Sequence, residues 1–309
     1  MRLHVVALPH TRFTPAFSWC AYTTKVARFA QMMADIGIDT ITYGNGPDFP
    51  NAGKYVMVTE EEFPELHIPE FAPFDPAFQK FNMPATAAVL EHIEDGDVVC
   101  LIGGTAQQDI GQALRQWPVV EFGVGYLGVF AQYKVFESYA WQQFVYGHLQ
   151  CDGSEDDTVI YNYFDPEEFR ISEHRDYFAY LGRVIPGKGI DYAITVAQRL
   201  GIPLRLAGPL SPQTEYVKDM TGLIEYEGVL DNAERAEFLS HALRVFTPTR
   251  YVEPFCGVHV EAMLSGVPVI TPDFGIFPET VTNGYHGYRC RTLEDYMSAV
   301  TLPIHHSPE

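Results

Sequence analysis

Short apolar runs alternate with stretches of helical spacing along the whole chain. In the first half, residues 3–8, 40–43, 97–102 and 119–124 are predicted strands, and residues 22–36 space their apolar side chains as a helix does. In the second half, the predicted strands cover residues 177–182, 204–207, 223–226, 244–247 and 267–271. The predicted helices between them cover residues 190–200, 211–220, 232–241 and 258–264. Strands that alternate with helices indicate parallel sheets with right-handed crossovers.

This order of elements predicts two Rossmann-like domains, residues 1–165 and 166–309, each built on a parallel sheet. The length of 309 residues suits two domains of ordinary size. Residues 152–176 are acidic and irregular, so they are the best candidate for a linker. The proline-rich residues 64–84 predict an extended loop.

Composition and charge narrow the class of protein. Hydrophobic residues make up 47% of the chain, enough for sizeable cores, and no run approaches the roughly 18 apolar residues of a membrane span. The N-terminus has neither the length nor the cleavage site of a signal peptide. Five cysteines without a CxxC pair favour reduced thiols in the cytoplasm over zinc or disulfides. A net charge of −20 disfavours a nucleic-acid partner unless a local basic patch overrides it.

The first candidate site follows the predicted strand 177–182, where ligands bind in open α/β sheets. Gly182 and Arg183 begin the loop, and Lys188 precedes the next helix. Glycines let the backbone approach a phosphate, a helix N-terminus favours an anion, and the two cations suit a diphosphate. The alternative interpretation is two surface cations on an ordinary loop.

The second candidate site follows the predicted strand 244–247. Glu253 lies in the loop and Glu261 lies seven intervening residues later, in the next helix among apolar neighbours. A carboxylate in such a place is costly unless it meets hydrogen-bond donors, and sugar hydroxyls are suitable donors. The alternative is a pair of solvated glutamates on a helix surface.

These two segments, with residues 267–272 and 275–279, resemble the GT-B-fold retaining glycosyltransferases of family GT4, also called glycosyltransferase group 1. The resemblance is specific over residues 177–290 and only architectural in the first half. It implies an α/β protein with two Rossmann-like domains whose parallel sheets face a central cleft. It also implies that residues 1–165 bind the acceptor and residues 166–309 bind a nucleotide-sugar donor.

The resemblance assigns roles to individual residues. Arg183 and Lys188, with Gly182, would bind the donor diphosphate, Glu253 would face the transferred sugar as a catalytic residue, and Glu261 would bind the ribose. Val229 and Leu230 would lie against the base of the donor nucleotide. Cys256 and Gly257 would contact the donor from the loop beside the sugar. Residues 273–279 would close over the sugar and phosphates.

Three features depart from the family pattern. Cys256 stands where the family usually has glycine, the loop after the first strand lacks a glycine pair, and the long C-terminal crossover helix is not apparent. His10 follows the first strand and is a second catalytic candidate that would orient the acceptor hydroxyl or the donor sugar, although a loop histidine is often structural. Gly103, Gly104 and Thr105 follow the predicted strand 97–102 and would offer backbone donors there.

The predicted reaction transfers a hexose from a UDP-glucose-like donor with retention of configuration, and it needs neither a metal nor a resident cofactor. The acceptor is a saccharide, a small molecule or a modified DNA base, and a homo-oligomer is compatible with the sequence. The alternative function is a catalytically inactive nucleotide-sugar-binding protein.

Other enzyme classes fit less well. Asp95-Gly96-Asp97 matches the metal motif of the GT-A fold, but it precedes its strand, at the amino end of the sheet. No G-x-G-x-x-G motif follows the first strand, and the chain has no G-x-x-x-x-G-K-[ST] or G-x-S-x-G motif, which argues against a dehydrogenase, an NTPase and an α/β-hydrolase.

Overall fold

The computed structural model describes residues 1–10, 12–14, 20–46, 53–60 and 75–305. The chain divides into two compact units, Met1–Tyr163 and Phe164–Glu309, so the division lies two residues before the predicted one. We call them unit 1 and unit 2. Within the described residues, no helix is long and apolar enough to cross a membrane.

Unit 1 is a parallel α/β layer structure. Its described strands form one sheet in the order β3-β2-β1-β4-β5-β6-β7, and every pair is parallel. The strands are β1 (Leu3–Val6), β2 (Thr40–Asn45), β3 (Lys54–Thr59), β4 (Val98–Leu101), β5 (Val119–Val124), β6 (Tyr133–Phe136) and β7 (Asp157–Val159). The helices are α1 (Ala21–Asp35), α2 (Pro76–Leu90), α3 (Gln108–Ala113) and α4 (Tyr139–Leu149).

Unit 2 repeats this architecture. Its described strands are ordered β10-β9-β8-β11-β12-β13, again all parallel. The strands are β8 (Tyr177–Leu181), β9 (Leu204–Ala207), β10 (Ile224–Gly228), β11 (Ala242–Phe246), β12 (Val269–Pro272) and β13 (Gly287–Cys290). The helices are α5 (Ile190–Leu200), α6 (Asn232–Ser240), α7 (Gly257–Leu264), α8 (Phe277–Thr280) and α9 (Leu293–Ala299). A 3-10 helix, Pro212–Asp219, replaces the helix predicted at 211–220.

The central strand of unit 2 shows why these sequences form buried parallel sheets. Every residue of β8 is buried, as its continuous apolar run predicts. Successive side chains point to opposite faces, so Phe178 and Tyr180 join one core cluster, whereas Tyr177 and Ala179 join the other. Helices therefore cover both faces, and the loops at the carboxyl edge remain the natural place for a ligand.

Two sequence predictions about irregular regions need correction. The predicted loop 64–84 is wrong over residues 76–84, which belong to α2, and residues 64–74 lie outside the described part of the chain. Asp75 begins α2 by accepting a hydrogen bond from the Ala77 amide at 2.9 Å. The predicted linker 152–176 also contains β7, which pairs with β6 as an edge strand of the unit 1 sheet.

Candidate functional site

The loops that follow β8 and β11 meet at the carboxyl edge of the unit 2 sheet. The crossover direction reverses between these two strands, which is the usual ligand position in open α/β sheets. The Arg250 amide donates to the Gly187 carbonyl at 2.9 Å, so the two loops are joined through their backbones. Gly189 has φ +69°, and a Cβ there would lie 1.9 Å from the Pro248 carbonyl oxygen. Because residue 189 is a glycine, the two loops approach each other more closely than any residue with a Cβ at this position would permit.

Lys188 and Glu253 form a buried ion pair where these loops meet. The Lys188 Nζ donates to Glu253 Oε2 at 2.5 Å, and only 5% of the glutamate side chain is exposed. Burial by itself would lower the pKa of Lys188, but the attraction of Glu253 outweighs it and raises that pKa. Lys188 is thus held in its charged form. The Tyr251 ring, 5.5 Å away, gives the ammonium a second favourable contact.

The second oxygen of Glu253 lacks a conventional donor. Oε1 is buried, and no described N–H or O–H group donates to it. The Cys256 thiol interacts with this carboxylate, and burial and the charge of Glu253 raise the pKa of that thiol, so it stays protonated. A thiol is only a weak donor. A buried acceptor left in this condition costs about 1–3 kcal/mol, which a ligand hydroxyl could recover.

Cys256 adopts a backbone conformation that usually belongs to glycine. Its φ is 65° and its ψ is 66°, and it immediately precedes α7. Left-handed conformations cost L-residues about 1–2 kcal/mol. Cys256 stands where the family usually has glycine, and it nevertheless keeps the left-handed backbone conformation that glycine favours. Gly257 begins the helix, where a Cβ would lie 3.1 Å from the Phe164 ring.

Glu261 is the second buried carboxylate of unit 2. It lies on α7, only 6% exposed, and Arg235 on α6 donates its Nη2 to Oε2. Sequence reasoning missed Arg235. Its helix was recognised, but nothing in the spacing links residue 235 to residue 261, because only the packing of α6 on α7 brings them together.

The remaining predicted donor residues lie along the same carboxyl edge. Gly182 follows β8 directly, and Arg183 is exposed, with no hydrogen bond or ion pair from its guanidinium to any described residue. Val229 is exposed and Leu230 half-buried just after β10. The structure therefore brings Lys188 into contact with Glu253, places Arg183 on the same loop as Lys188, and places Val229 and Leu230 on the loop after β10.

His259 is a structural residue. It is fully buried, its Nδ1–H donates to the Cys256 carbonyl at 2.5 Å, and its Nε2 accepts from the Thr280 hydroxyl at 2.8 Å. Burial lowers its pKa to about 4, so it is neutral in this tie. It connects the start of α7 to residues 277–280. Asp273, which directly follows β12, pairs with Arg289 at 3.4 Å and with Arg291 at 2.7 Å.

In unit 1, the structure pairs His10 with a cysteine that the sequence did not suggest. His10 follows β1, is 9% exposed, and has its Nε2 at 3.1 Å from Cys20 Sγ. Burial would raise the pKa of Cys20, but the hydrogen bond and charge of His10 outweigh it and lower the pKa to about 7. The Tyr22 ring meets His10 edge-on at a centroid distance of 6.0 Å.

The glycine pair after β4 does not provide the predicted donors. The Gly103 amide donates to Gln107 Oε1 at 2.7 Å, and the Thr105 amide donates to the Gly128 carbonyl at 2.8 Å. Gly104 itself has φ +56°, and a Cβ there would lie 2.4 Å from the Gly128 oxygen. These residues hold the β5–β6 loop in place instead of presenting amides.

Asp97 is part of a structural cluster with Arg2 and His4 at the amino end of β4. It accepts from the Arg2 amide at 2.7 Å and from Arg2 Nη2 at 2.9 Å, and His4 Nε2 lies 3.1 Å away. Arg2 and His4 hold the pKa of Asp97 well below its usual range, although burial opposes them. Among the described residues, no group of three or more His, Cys, Asp or Glu side chains is arranged to hold a metal ion.

The fold class follows from comparison with solved structures. A sucrose-phosphate synthase from Thermosynechococcus elongatus superposes with a TM-score of 0.77 at 17% identity, over 97% of this chain and 89% of that one. HepE of Anabaena, solved with UDP and glucose, gives a TM-score of 0.68 at 18% identity, over 97% and 88% of the two chains. The prediction of a GT-B protein with two parallel-sheet α/β domains is therefore confirmed.

Sequence comparison is more specific for the region with the candidate site. Residues 163–299 match the family model of group 1 glycosyl transferases. A glycogen synthase of Mycobacterium tuberculosis is 30% identical over 149 residues. That match covers 43% of this chain and 36% of the relative, so it spans about a third of the length of this curated relative. The resemblance to group 1 glycosyltransferases is thus confirmed over residues 163–299.

Proposed function

We propose that this protein is a glycosyltransferase that takes a hexose from a nucleoside-diphosphate sugar, with UDP-glucose as the first candidate donor. One observation carries this proposal. Glu253 is buried, its charge is compensated by Lys188, and its Oε1 meets no N–H or O–H donor from the described residues. A sugar hydroxyl is a donor of the right size and polarity for that oxygen. The names of the similar proteins support the same donor class, since HepE was solved with UDP-glucose.

The diphosphate would bind at the loop after β8. Lys188 is charged and Arg183 is exposed with its guanidinium available on that loop. Glycine at position 182, with φ +135° and no described atom within 4 Å of an added Cβ, leaves the backbone open to an oxygen-rich group. When the sugar leaves, the negative charge that develops on the diphosphate would be stabilised by these two cations.

The proposed transfer retains the configuration of the sugar. The bond between C1 and the phosphate oxygen breaks, the acceptor oxygen forms a new bond to C1 on the same face, and the acceptor proton moves to the leaving diphosphate. Neither a protein nucleophile nor a metal is needed for this balance. Glu253 would hold the sugar, and His10 would orient the acceptor hydroxyl or the sugar. The finding that activity disappears when EDTA is added would refute the metal-independent part.

We assign the donor to unit 2 and the acceptor to unit 1. A saccharide or a small molecule fits the net charge of −20 better than DNA, although a modified DNA base stays in the acceptor set. All five cysteines are free thiols, which suits our proposed cytoplasmic location.

Ligand-induced stabilisation tests the donor site. The wild-type protein and Glu253→Gln would be heated with UDP, GDP, ADP and their glucose conjugates. A ligand at 100 times its Kd stabilises the native state by about 2.7 kcal/mol, which is readily detected. We expect one nucleotide to stabilise both proteins, and its glucose conjugate to add stabilisation only in the wild type. Glu237→Gln, which changes an exposed carboxylate on α6, is the matched control.

Transfer activity separates the enzyme from its alternative, a nucleotide-sugar-binding protein without catalysis. Glu253→Gln removes a charge-assisted interaction with the sugar, so we expect kcat/KM for donor hydrolysis or transfer to fall roughly 10- to 100-fold. Wild-type protein that binds UDP-glucose yet neither transfers nor hydrolyses it would support the binding protein. Absence of stabilisation by every nucleotide would contradict both functions.

A further inference from the structure

A cavity of about 530 Å³ lies at the edge of the unit 1 sheet, between helix α4 and strand β7. One wall is a face of α4, on which Tyr139, Gln142 and Tyr146 follow each other at intervals of three and four residues. The other wall is the segment 152–155 together with β7, the last strand in the order of that sheet. Every lining residue therefore belongs to unit 1, and the volume is that of a small-molecule site.

The two walls are held together by contacts that also neutralise Asp157. Gly153 has φ +105°, and an added Cβ would lie 2.9 Å from the Tyr146 ring, so glycine lets the segment 152–155 approach α4 closely. Asp157 accepts from the Tyr146 hydroxyl at 2.9 Å and pairs with Lys134 at 3.0 Å. Burial and the bond to Asp157 raise the pKa of Tyr146 to about 12, so this hydroxyl stays protonated and keeps donating. The pair of Asp157 and Lys134 therefore adds little net charge to the cavity.

Gln142 is the residue that points to a ligand. It lines the cavity and is only 8% exposed, yet its side-chain amide makes no hydrogen bond to any described residue. Buried polar groups are nearly always hydrogen-bonded, because leaving one without a partner is costly. The amide offers two N–H donors and one carbonyl acceptor. A polar molecule in the cavity would supply the partner that the protein itself does not.

The charge of the lining defines the class of that molecule. Asp152 and Glu155 are exposed on the wall opposite α4, and neither forms an ion pair with a described residue. All lining residues are described, and none of them is a lysine, an arginine or a histidine, so an anion such as a nucleotide is disfavoured. Within the described ranges, no group of three or more His, Cys, Asp or Glu side chains is placed to hold a metal ion, which disfavours a bare inorganic cation as well. The exposed ring of Tyr139 instead adds a surface that attracts an organic ammonium group.

We propose that this cavity binds a small organic polyamine, whose ammonium groups pair with Asp152 and Glu155 and donate a hydrogen bond to the Gln142 carbonyl oxygen. Each ammonium group has three N–H donors, so one molecule can meet both carboxylates and the amide. The site lies in unit 1, apart from the residues to which we assign the donor, and the inference does not rest on the proposed function.

A neutral saccharide is the rival ligand for the same cavity. Its hydroxyls could donate to the two carboxylates and to the Gln142 amide oxygen. The net negative charge of the lining favours the polyamine, because this charge attracts a cation and has no such effect on a neutral molecule. Ionic strength separates the two ligands, since salt screens the attraction of a cation to exposed carboxylates and leaves hydrogen bonds to a neutral sugar nearly unchanged.

Calorimetric titration with spermidine at pH 7 provides the test, with maltose as the neutral probe and Mg²⁺ as the inorganic one. The proteins are wild type, Gln142→Leu and the double variant Asp152→Asn/Glu155→Gln. Asp95→Asn/Asp109→Asn is the matched control, because it removes two exposed carboxylates of unit 1 that do not line the cavity and changes the net charge equally. Thermal unfolding without ligand checks that each variant is folded, and the exposed pair of carboxylates still tests the site if Gln142→Leu does not fold.

We expect spermidine to bind the wild type, and its affinity to fall about tenfold in Asp152→Asn/Glu155→Gln and about fivefold in Gln142→Leu. The control variant should keep the wild-type affinity within about twofold, and raising the salt concentration from about 50 mM to about 500 mM should weaken binding at least about fivefold. An absence of spermidine binding, or an equal loss of affinity in the control variant, overturns the inference. Binding of maltose or Mg²⁺ that is lost in the two cavity variants, while spermidine affinity is unchanged in them, overturns it too.

Discussion

Gly189 allows the sharpest test of how the candidate site is built. It has φ +69°, and an added Cβ would lie 1.9 Å from the carbonyl oxygen of Pro248 and 2.8 Å from its carbonyl carbon. Gly201, at the end of α5, has nearly the same conformation, φ +65°, but no atom lies within 4 Å of its added Cβ. The two glycines therefore separate the cost of a left-handed backbone from the cost of a collision between two loops.

The expected magnitudes follow from this geometry. Gly201→Ala bears only the left-handed penalty, about 1–2 kcal/mol, partly offset by the lower entropy of the unfolded chain. Gly189→Ala bears the same penalty, and its methyl group must also move more than about 1 Å from backbone atoms that cannot rotate away. Overpacking of this kind adds about 1–3 kcal/mol. We therefore expect Gly189→Ala to destabilise unit 2 by about 2–4 kcal/mol and Gly201→Ala by about 1 kcal/mol.

Urea unfolding of both variants measures the difference, with the transition of unit 2 analysed separately because a protein of two units need not unfold in one step. Nucleotide binding supplies a second readout, since separating the loops also separates Lys188 from Glu253. Gly189→Ala should weaken binding of the nucleotide, and Gly201→Ala should not. Equal destabilisation by the two substitutions, within about 0.5 kcal/mol, would refute the reasoning that the loops need glycine for their close approach.

Two further predictions concern unit 1. Asp97→Asn should lower stability by about 3 kcal/mol at pH 7, because it breaks a buried cluster with Arg2 and His4. Because the folded state lowers the pKa of Asp97, the ionised carboxylate contributes its full stability above the unfolded pKa, which is near 4. The difference in unfolding free energy between wild type and Asp97→Asn should therefore shrink as the pH falls below 4. A difference in urea midpoint that is the same at pH 7, 5 and 3 would contradict this. The second prediction concerns Cys20, whose thiolate absorbance is obtained as the difference between wild type and Cys20→Ser. This absorbance should titrate near pH 7 in the wild type and at higher pH in His10→Gln. An unchanged titration in His10→Gln would show that His10 does not lower the pKa of Cys20.

The strands that the sequence predicts best are those buried on both faces of a sheet. Residues 97–102 and 177–182 form continuous apolar runs, and both became central strands of parallel sheets. Edge strands were harder to recognise. Residues 157–159 are acidic at one end and only half-buried, so their pattern resembles a loop until β6 is there to pair with them. The segment 76–84 resembles a loop in sequence because its prolines conceal the apolar spacing of Phe78 and Phe81, which are buried on α2.

Part of the candidate site is also predictable, because some of its residues directly follow strands whose burial the sequence reveals. Lys188 and Glu253 lie directly after buried strands, and the topology alone brings such residues to one edge of the sheet. Arg235 and Cys20 act through contacts between side chains whose separation in sequence carries no pattern. Only the packing of α6 on α7, and of α1 against the loop after β1, reveals them. Partners of site residues therefore need the tertiary structure, whereas residues at strand ends do not.

The buried glutamates of the two units show why Glu253 is singled out as the ligand-binding group. In unit 1, Glu137 pairs with Lys25 through one oxygen and accepts from Asn162 Nδ2 at 2.9 Å through the other. Glu121 accepts from the amides of Phe130 and Ala131, each at 2.8 Å, and from Tyr126. Both carboxylates are satisfied within the protein, so they need no ligand. Glu253 has the same burial and a similar cation, yet among the described glutamates it alone has a buried oxygen without a hydrogen-bond partner. Satisfying Glu253 in the same way would contribute about 1–3 kcal/mol, and this gain becomes available when a hydroxyl-bearing ligand binds at the carboxyl edge of unit 2.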